Sequence, residues 1–373
     1  MACPPSVSPR LKSLDFLRLV LCLLVMFTHA RRMFGIDVPA WLTKGLFDAK
    51  GGVVLFFVLS GHVLTKTLMH IPVSWDGYRQ FVIKRAFRLF PLYWAALLLA
   101  FVVLLWIKME AGGADADAKL GYLRLAGPCW EQWLLHSALL IPGMDSDFAL
   151  PTVWSLMTEA KISILAFPFF GWFILRLPAS AASGTVAALV VGSGYLNQHL
   201  FGTAAYLGIF GIGALLARVP EKQWRSMNTI GWWGLMAAGA GLYACMSLRY
   251  LMPSIWMGYY ACALGAALII AAVSHWPALS HCLHQLYSTF DVDLSFGIYM
   301  LHYPVLLAFF KLAGGIKGAG SMGGALLAMC MTVFLAWVLA WTVEIPMIKF
   351  GRKLAGPRLK AVTGCDDMSI PTA

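Results

Sequence analysis

The sequence predicts an all-α protein, a polytopic membrane bundle of about ten transmembrane helices with both termini in the cytoplasm. Two observations fix the class. Of 373 residues, 60% are hydrophobic and 12% charged, which leaves too few charges to cover a soluble globule of this size. Apolar runs long enough to span a bilayer recur from end to end between short polar breaks, without the alternation of an outer-membrane strand. A third observation sets orientation. The basic residues behind the net charge of +11 sit beside apolar runs, so they read as an orientation signal and not as a nucleic-acid footprint.

Apolar runs read against polar breaks place the spans at approximately 14–34, 52–70, 90–110, 152–176, 184–198, 203–217, 229–248, 255–275, 294–313 and 322–346. The chain, 1–373, is then a single membrane domain, with 1–12 and 350–373 as cytoplasmic tails and 111–151 as an extracytoplasmic loop. Within that loop, Trp130 to Ile141 is apolar enough for an interfacial or re-entrant helix. Arg79, Lys84, Arg85 and Arg88, then Arg218, Lys222 and Arg225, then Lys349, Arg352, Lys353, Arg358 and Lys360 all fall on one side of a ten-span topology. Arg31, Arg32, Lys44 and Lys50 oppose them, so the bias is moderate. No soluble domain is expected before or after the bundle.

The first span, SLDFLRLVLCLLVMFTHA, follows basic residues as a signal peptide would. Arg18 interrupts it and no small-residue cleavage site follows, so it reads as a retained helix. It carries Arg18 near its start and His29 near its end, about 16 Å apart along a helix axis. Ionisable groups inside a span cost free energy and mark candidate functional positions. Arg18 fits a snorkelling flank residue equally well, and His29 an interfacial histidine. The second span opens GGVVLFFVLSGHVLTKTL, where Gly51, Gly52, Ser60 and Gly61 would let another helix or a narrow ligand approach the backbone. Ser60 could also donate a hydrogen bond.

Before the third span, FVIKRAFRLFPLYW sets Lys84, Arg85 and Arg88 on one helical face under the cytoplasmic surface, and Pro91 is a position where a new helix can begin. Such a face suits a polyphosphate ligand, or simply anchors the bundle to lipid headgroups. Glu159, in TVWSLMTEAKISIL at the start of the fourth span, is expected at the depth of His29, as a His and carboxylate pair requires. Pairing with Lys161 is the local alternative. Late in the chain, LSFGIYMLHYPV puts His302 near mid-membrane with Tyr299 and Tyr303 beside it, and Glu344 looks buried just ahead of Pro346. Each could line a cavity or satisfy a neighbouring helix. Cys22, Cys245, Cys262 and Cys330 lie in apolar segments and no cysteine pair has ligand spacing, so they read as packing residues. His281 and His284 lack an accompanying acidic or cysteine cluster, so no metal site is expected.

Together these segments resemble the integral-membrane acyltransferase family three, whose bacterial members O-acylate cell-surface glycans. The resemblance covers nearly the whole chain: LDFLR followed by His29, with Arg18 and His29 separated by ten residues, then FFVLSG at Phe56 to Gly61, KRAFRLFPLYW at Lys84 to Trp94, WSLMTE at Trp154 to Glu159 and GIYMLHYP at Gly297 to Pro304. The chain departs from the family at Val54, where an acidic residue is common, at His62, where an apolar residue is usual, and in AKISIL, where an aromatic pair is usual.

The resemblance implies a stand-alone enzyme of the bacterial inner membrane, with cytoplasmic acyl-CoA as co-substrate, no permanently bound cofactor, and a glycan hydroxyl as acceptor at the outer face. Lys84, Arg85 and Arg88 would hold the CoA phosphates, with Arg18 above them. His29 would act as general base, oriented by Glu159, and Ser60, Ser155, Tyr299 and His302 would line the substrate or oxyanion site. Partners are then acyl-CoA, glycan and lipid, with no nucleic acid. The reading from a different class is a proton-coupled transporter or flippase using Arg18, His29, Glu159 and His302 as a path. The absence of a sequence repeat and the surface position of the basic face count against it.

Overall fold

The structure is a computed structural model that describes residues 12–39, 48–110, 152–196, 202–288, 292–315 and 321–357, with the single positions 137 and 150. The helix expected at 130–141 and most of the 111–151 loop lie outside these residues. Among the described residues the regular elements are all helical. The longer ones are α1 (Lys12–Phe34), α2 (Ala49–Leu68), α3 (Trp75–Glu110), α4 (Val153–Arg176), α5 (Ala179–Leu196), α6 (Gly202–Arg218), α7 (Thr229–Ala244), α8 (Ile255–His275), α9 (Pro277–Ser288), α10 (Ser295–Leu312) and α11 (Met322–Leu354).

Seven of these, α1, α2, α3, α4, α8, α10 and α11, are long and apolar enough to cross a bilayer. The shorter α5, α6 and α7 occupy the positions of the fifth to seventh predicted spans. Contacts between helix ends show that all ten alternate in direction. At one end Ser280 of α9 meets Ser13 of α1, Gln80 of α3 donates to the Pro357 carbonyl after α11, and Arg218 of α6 donates to the Ile174 and Leu177 carbonyls at the end of α4. Trp232 of α7 also stacks on Trp276 after α8. At the other end Arg249 pairs with Asp48 before α2 at 2.7 Å, and Ser321 before α11 donates to the Phe34 carbonyl of α1. The first end gathers Lys84, Arg88, Arg218 and Arg352, and is the basic end below. The start of α1 and the end of α11 both lie there, as charge bias predicts.

Two local features differ from expectation. No helix begins at Pro91, because α3 runs unbroken for 36 residues, about 54 Å. Leu89, Leu92 and Tyr93 are nearly fully buried around the proline, and this packing holds the helix through the one lost backbone bond. In α4, a π-helical stretch over Lys161–Ala166 precedes Pro168. That proline has no N–H for the Ile164 carbonyl four residues back, and the Tyr78 hydroxyl donates to it instead at 3.1 Å. A second π turn, Ala340–Glu344, precedes Pro346 in α11 and holds Glu344 buried.

Small residues set the closest crossing, as the FFVLSG segment suggests. A Cβ at Gly61 of α2 would collide with the Phe210 carbonyl of α6, and one at Gly213 of α6 with the Val58 carbonyl of α2. Among the described residues the apolar core forms two large bodies and a small cluster of Val103, Leu104, Ile107 and Leu307. One large body is built from α2, α6, α8 and the end of α4, the other from α1, α3, α10, α11 and the start of α4. Phe56 packs against both, and a polar chamber lies beside it.

Candidate active site

Five helices line this chamber. Arg18 and Cys22 come from α1, Phe56 and Ser60 from α2, Arg85 and Arg88 from α3, Ser155 and Glu159 from α4, and Tyr299 from α10. Seven of the ten residues singled out in the sequence therefore converge on one cavity, which is narrow at about 90 Å³. Its polar groups are closely paired. The Glu159 carboxylate accepts from the Arg85 guanidinium and from the Ser60 hydroxyl at 3.2 Å. Arg85 Nε also faces Ser163 Oγ at 3.3 Å, Arg18 pairs with Asp15 at 3.0 Å, and Arg88 lies 3.8 Å from Asp293.

Hydroxyl groups carry one proton each, which decides what they can donate. Ser155 Oγ donates to the Thr152 carbonyl at 2.9 Å, so in its 2.6 Å contact with Tyr299 the tyrosine is the donor. The Ser60 proton is committed to Glu159. Ser60, Ser155 and Tyr299 all line the chamber as expected, and their protons go to a carboxylate, a carbonyl and a hydroxyl oxygen respectively. What the three do is fix Glu159 and the Tyr299 ring in place.

A second cavity of about 390 Å³ lies at the basic end, lined by Gln80, Lys84, Arg85, Arg88, Asp293, Glu344 and Arg352 among others. It shares Val63, Leu64, Arg85 and Arg88 with the chamber, so the two adjoin. Lys84 and Arg88 thus face the basin as the helical spacing suggests, whereas Arg85 is turned inward to Glu159. Sequence reasoning missed Arg352, which reads as one of several tail cations until the packing of α11 on α3, Phe350 against Phe87, brings it to the basin.

The expected pairing of Glu159 with His29 does not form. Leu150, Thr152 and Val153 are 1%, 3% and 0% exposed, so α4 starts beneath the surface and Glu159 lies deeper than a count from the polar break puts it. At that depth it meets a guanidinium, which compensates a partly buried carboxylate better than a neutral imidazole does. His29 sits about 10 Å further along α1 than the chamber residue Cys22. Its ring lies 5.3 Å from the His302 ring and 5.7 Å from that of Tyr303, centre to centre. Tyr299 connects the two regions, with its ring 5.8 Å from Phe56 on the chamber wall and 5.9 Å from His302. From the basic end outward the order is basin, chamber, Tyr299, His302, His29. Among the described residues, no group of three His, Cys, Asp or Glu side chains is placed to hold a metal ion.

Residues 11–341 match a family model described as an acyltransferase domain. A Bacillus subtilis protein named "Putative peptidoglycan O-acetyltransferase YrhL" is 25% identical over 292 residues, which cover 69% of this chain and 44% of that protein. The chain thus spans less than half the length of this relative. No solved structure matches significantly. With the family match running through nearly all of the bundle, the chain belongs to acyltransferase family three.

Proposed function

We propose that this membrane acyltransferase moves an acyl group, acetyl or succinyl, from acyl-CoA at the basic end to a hydroxyl of a glycan or glycosylated metabolite at the opposite face. The observation that carries the reading is the adjoining of the wide basic basin and the narrow chamber through Arg85 and Arg88, with His29 beyond. A nucleotide with several phosphates fits the basin, where Lys84, Arg88 and Arg352 supply cations. The chamber, which adjoins the basin, is where the slender thioester arm would enter the bundle. The rise from Arg18 to His29, about 16 Å, is comparable with the length of that arm. In this reading the charge bias puts the basin on the cytoplasmic side and His29 in the outer half, and the bacterial inner membrane follows from the family resemblance alone.

In this reading His29 is the general base. It takes the proton of the acceptor hydroxyl as that oxygen attacks the thioester carbonyl; the C–S bond then breaks, and the CoA thiolate leaves towards the basic end and recovers the proton. Glu159 serves the donor half, holding Arg85 and Ser60 beside the arm. The name of the Bacillus subtilis relative points to peptidoglycan as one acceptor to try. The test is His29→Ala in reconstituted protein. Acyl transfer is lost while CoA binding persists; turnover near the parent level would overturn the assignment.

A further inference from the structure

His302 is fully buried at 0% exposure, and its two nitrogens have different surroundings. Nδ1 lies 3.1 Å from the Ile298 carbonyl oxygen. A carbonyl only accepts, so Nδ1 carries the hydrogen, and in the neutral ring Nε2 carries the lone pair. That Nε2 is buried with no hydrogen-bond partner among the described residues. Orphaned buried acceptors are costly and uncommon. Here the neighbour is the ring of His29, 5.3 Å away and inclined at 45°. Ring nitrogens lie about 1.1 Å from their ring centres, so two imidazoles joined end to end by an N–H···N bond of about 3 Å have centres about 5 Å apart. Closing that bond requires the partly buried His29 ring to turn towards His302.

We infer that His302 is the positioning residue for His29, its orphaned Nε2 lone pair accepting the His29 N–H when the acceptor substrate is bound. It takes the place that Glu159 is too deep to fill. The bond selects one tautomer of His29 and aims the opposite nitrogen, lone pair outward, at the acceptor hydroxyl. When His29 takes the hydroxyl proton, the imidazolium donates a charge-assisted bond to His302. His302 itself neither gains nor loses a proton, since its one hydrogen stays on Nδ1, donated to the Ile298 carbonyl. Tyr303, edge-on to His29 at 86°, flanks the ring on the other side.

The inference rests on the reading of His29 as base, and the experiment separates the two. His302→Phe keeps a planar ring and removes the acceptor; His302→Gln keeps an acceptor oxygen as many bonds from the backbone as Nε2, without the ring. With purified protein in nanodiscs, acetyl-CoA and a soluble glycan oligomer, His302→Phe lowers kcat about 100-fold, the low end of what general-base assistance supplies, with KM for acetyl-CoA within about threefold of the parent. His302→Gln regains about tenfold of that loss. Equal kcat for the two variants, or a His302→Phe enzyme within about threefold of the parent, overturns the inference. Should the Phe variant fail to fold, the Gln variant alone decides: it overturns the inference if it folds, binds acetyl-CoA and is as inactive as His29→Ala. A fully active His29→Ala enzyme would instead remove the base reading. An inactive His29→Ala with both His302 variants fully active would remove only the pairing.

Discussion

Replacing Glu159 with Gln tests the pairing that most separates this structure from the expected one. The Arg85 and Glu159 side chains are 13% and 23% exposed, and the Ser60 hydroxyl adds a second bond to the carboxylate. Removing one partner from a fully buried pair costs about 3–5 kcal/mol, mostly through the uncompensated charge left behind. Both groups border the chamber, and the carboxylate is nearly a quarter open to it, so screening reduces the expected loss to roughly 2 kcal/mol. The assay is thermal melting in detergent of Glu159→Gln, Arg85→Gln and the double variant. Each single change lowers the melting temperature, and the double variant melts well above the sum of the two, with a coupling of roughly 2 kcal/mol. Additive losses would refute the pairing, and so would an Arg85→Gln background in which Glu159→Gln costs as much as before.

Three further outcomes follow from the geometry. Gly61→Val, which puts a branched side chain against the Phe210 carbonyl, should leave little folded protein, judged by gel filtration, whereas Gly184→Val on an open face of α5 should fold normally. His62 is 1% exposed and both its ring nitrogens lack a hydrogen-bond partner among the described residues, so His62→Leu should raise the melting temperature by an amount equivalent to about 1–2 kcal/mol without changing turnover. Arg352→Gln should raise KM for acyl-CoA about 5–10-fold with kcat nearly unchanged, the signature of lost phosphate binding at a site away from the chemistry.

Most of the fold was legible because hydropathy and charge bias act through simple physics. Runs of about 20 apolar residues must span, and cations gather at one end, so the number and directions of the helices follow. Position along a span was harder to read. Glu159 was placed by counting from a polar break, but that break sits under other chain segments, as the burial of Leu150 and Val153 shows. Pro91 looked like a helix start because local chemistry allows one, and the burial of Leu89, Leu92 and Tyr93 overrides it. The residues of the chamber were legible by type, since Arg18, Glu159 and Tyr299 are polar intrusions in apolar helices and Arg85 belongs to the basic face ahead of the third span. Their pairing was not, because it depends on which proton each hydroxyl has already committed. The Ile298 bond that fixes the His302 tautomer is equally invisible in sequence, as it depends on a side-chain rotamer.

Proteoliposomes in which the basic end faces the lumen test the direction of transfer. Labelled acetyl-CoA is sealed inside and a soluble glycan acceptor is supplied only outside. Label should appear on the external glycan with the parent protein and not with His29→Ala. Transfer only when donor and acceptor share one compartment, or equal labelling by His29→Ala, would contradict a donor half-site at the basic end and a base beyond it.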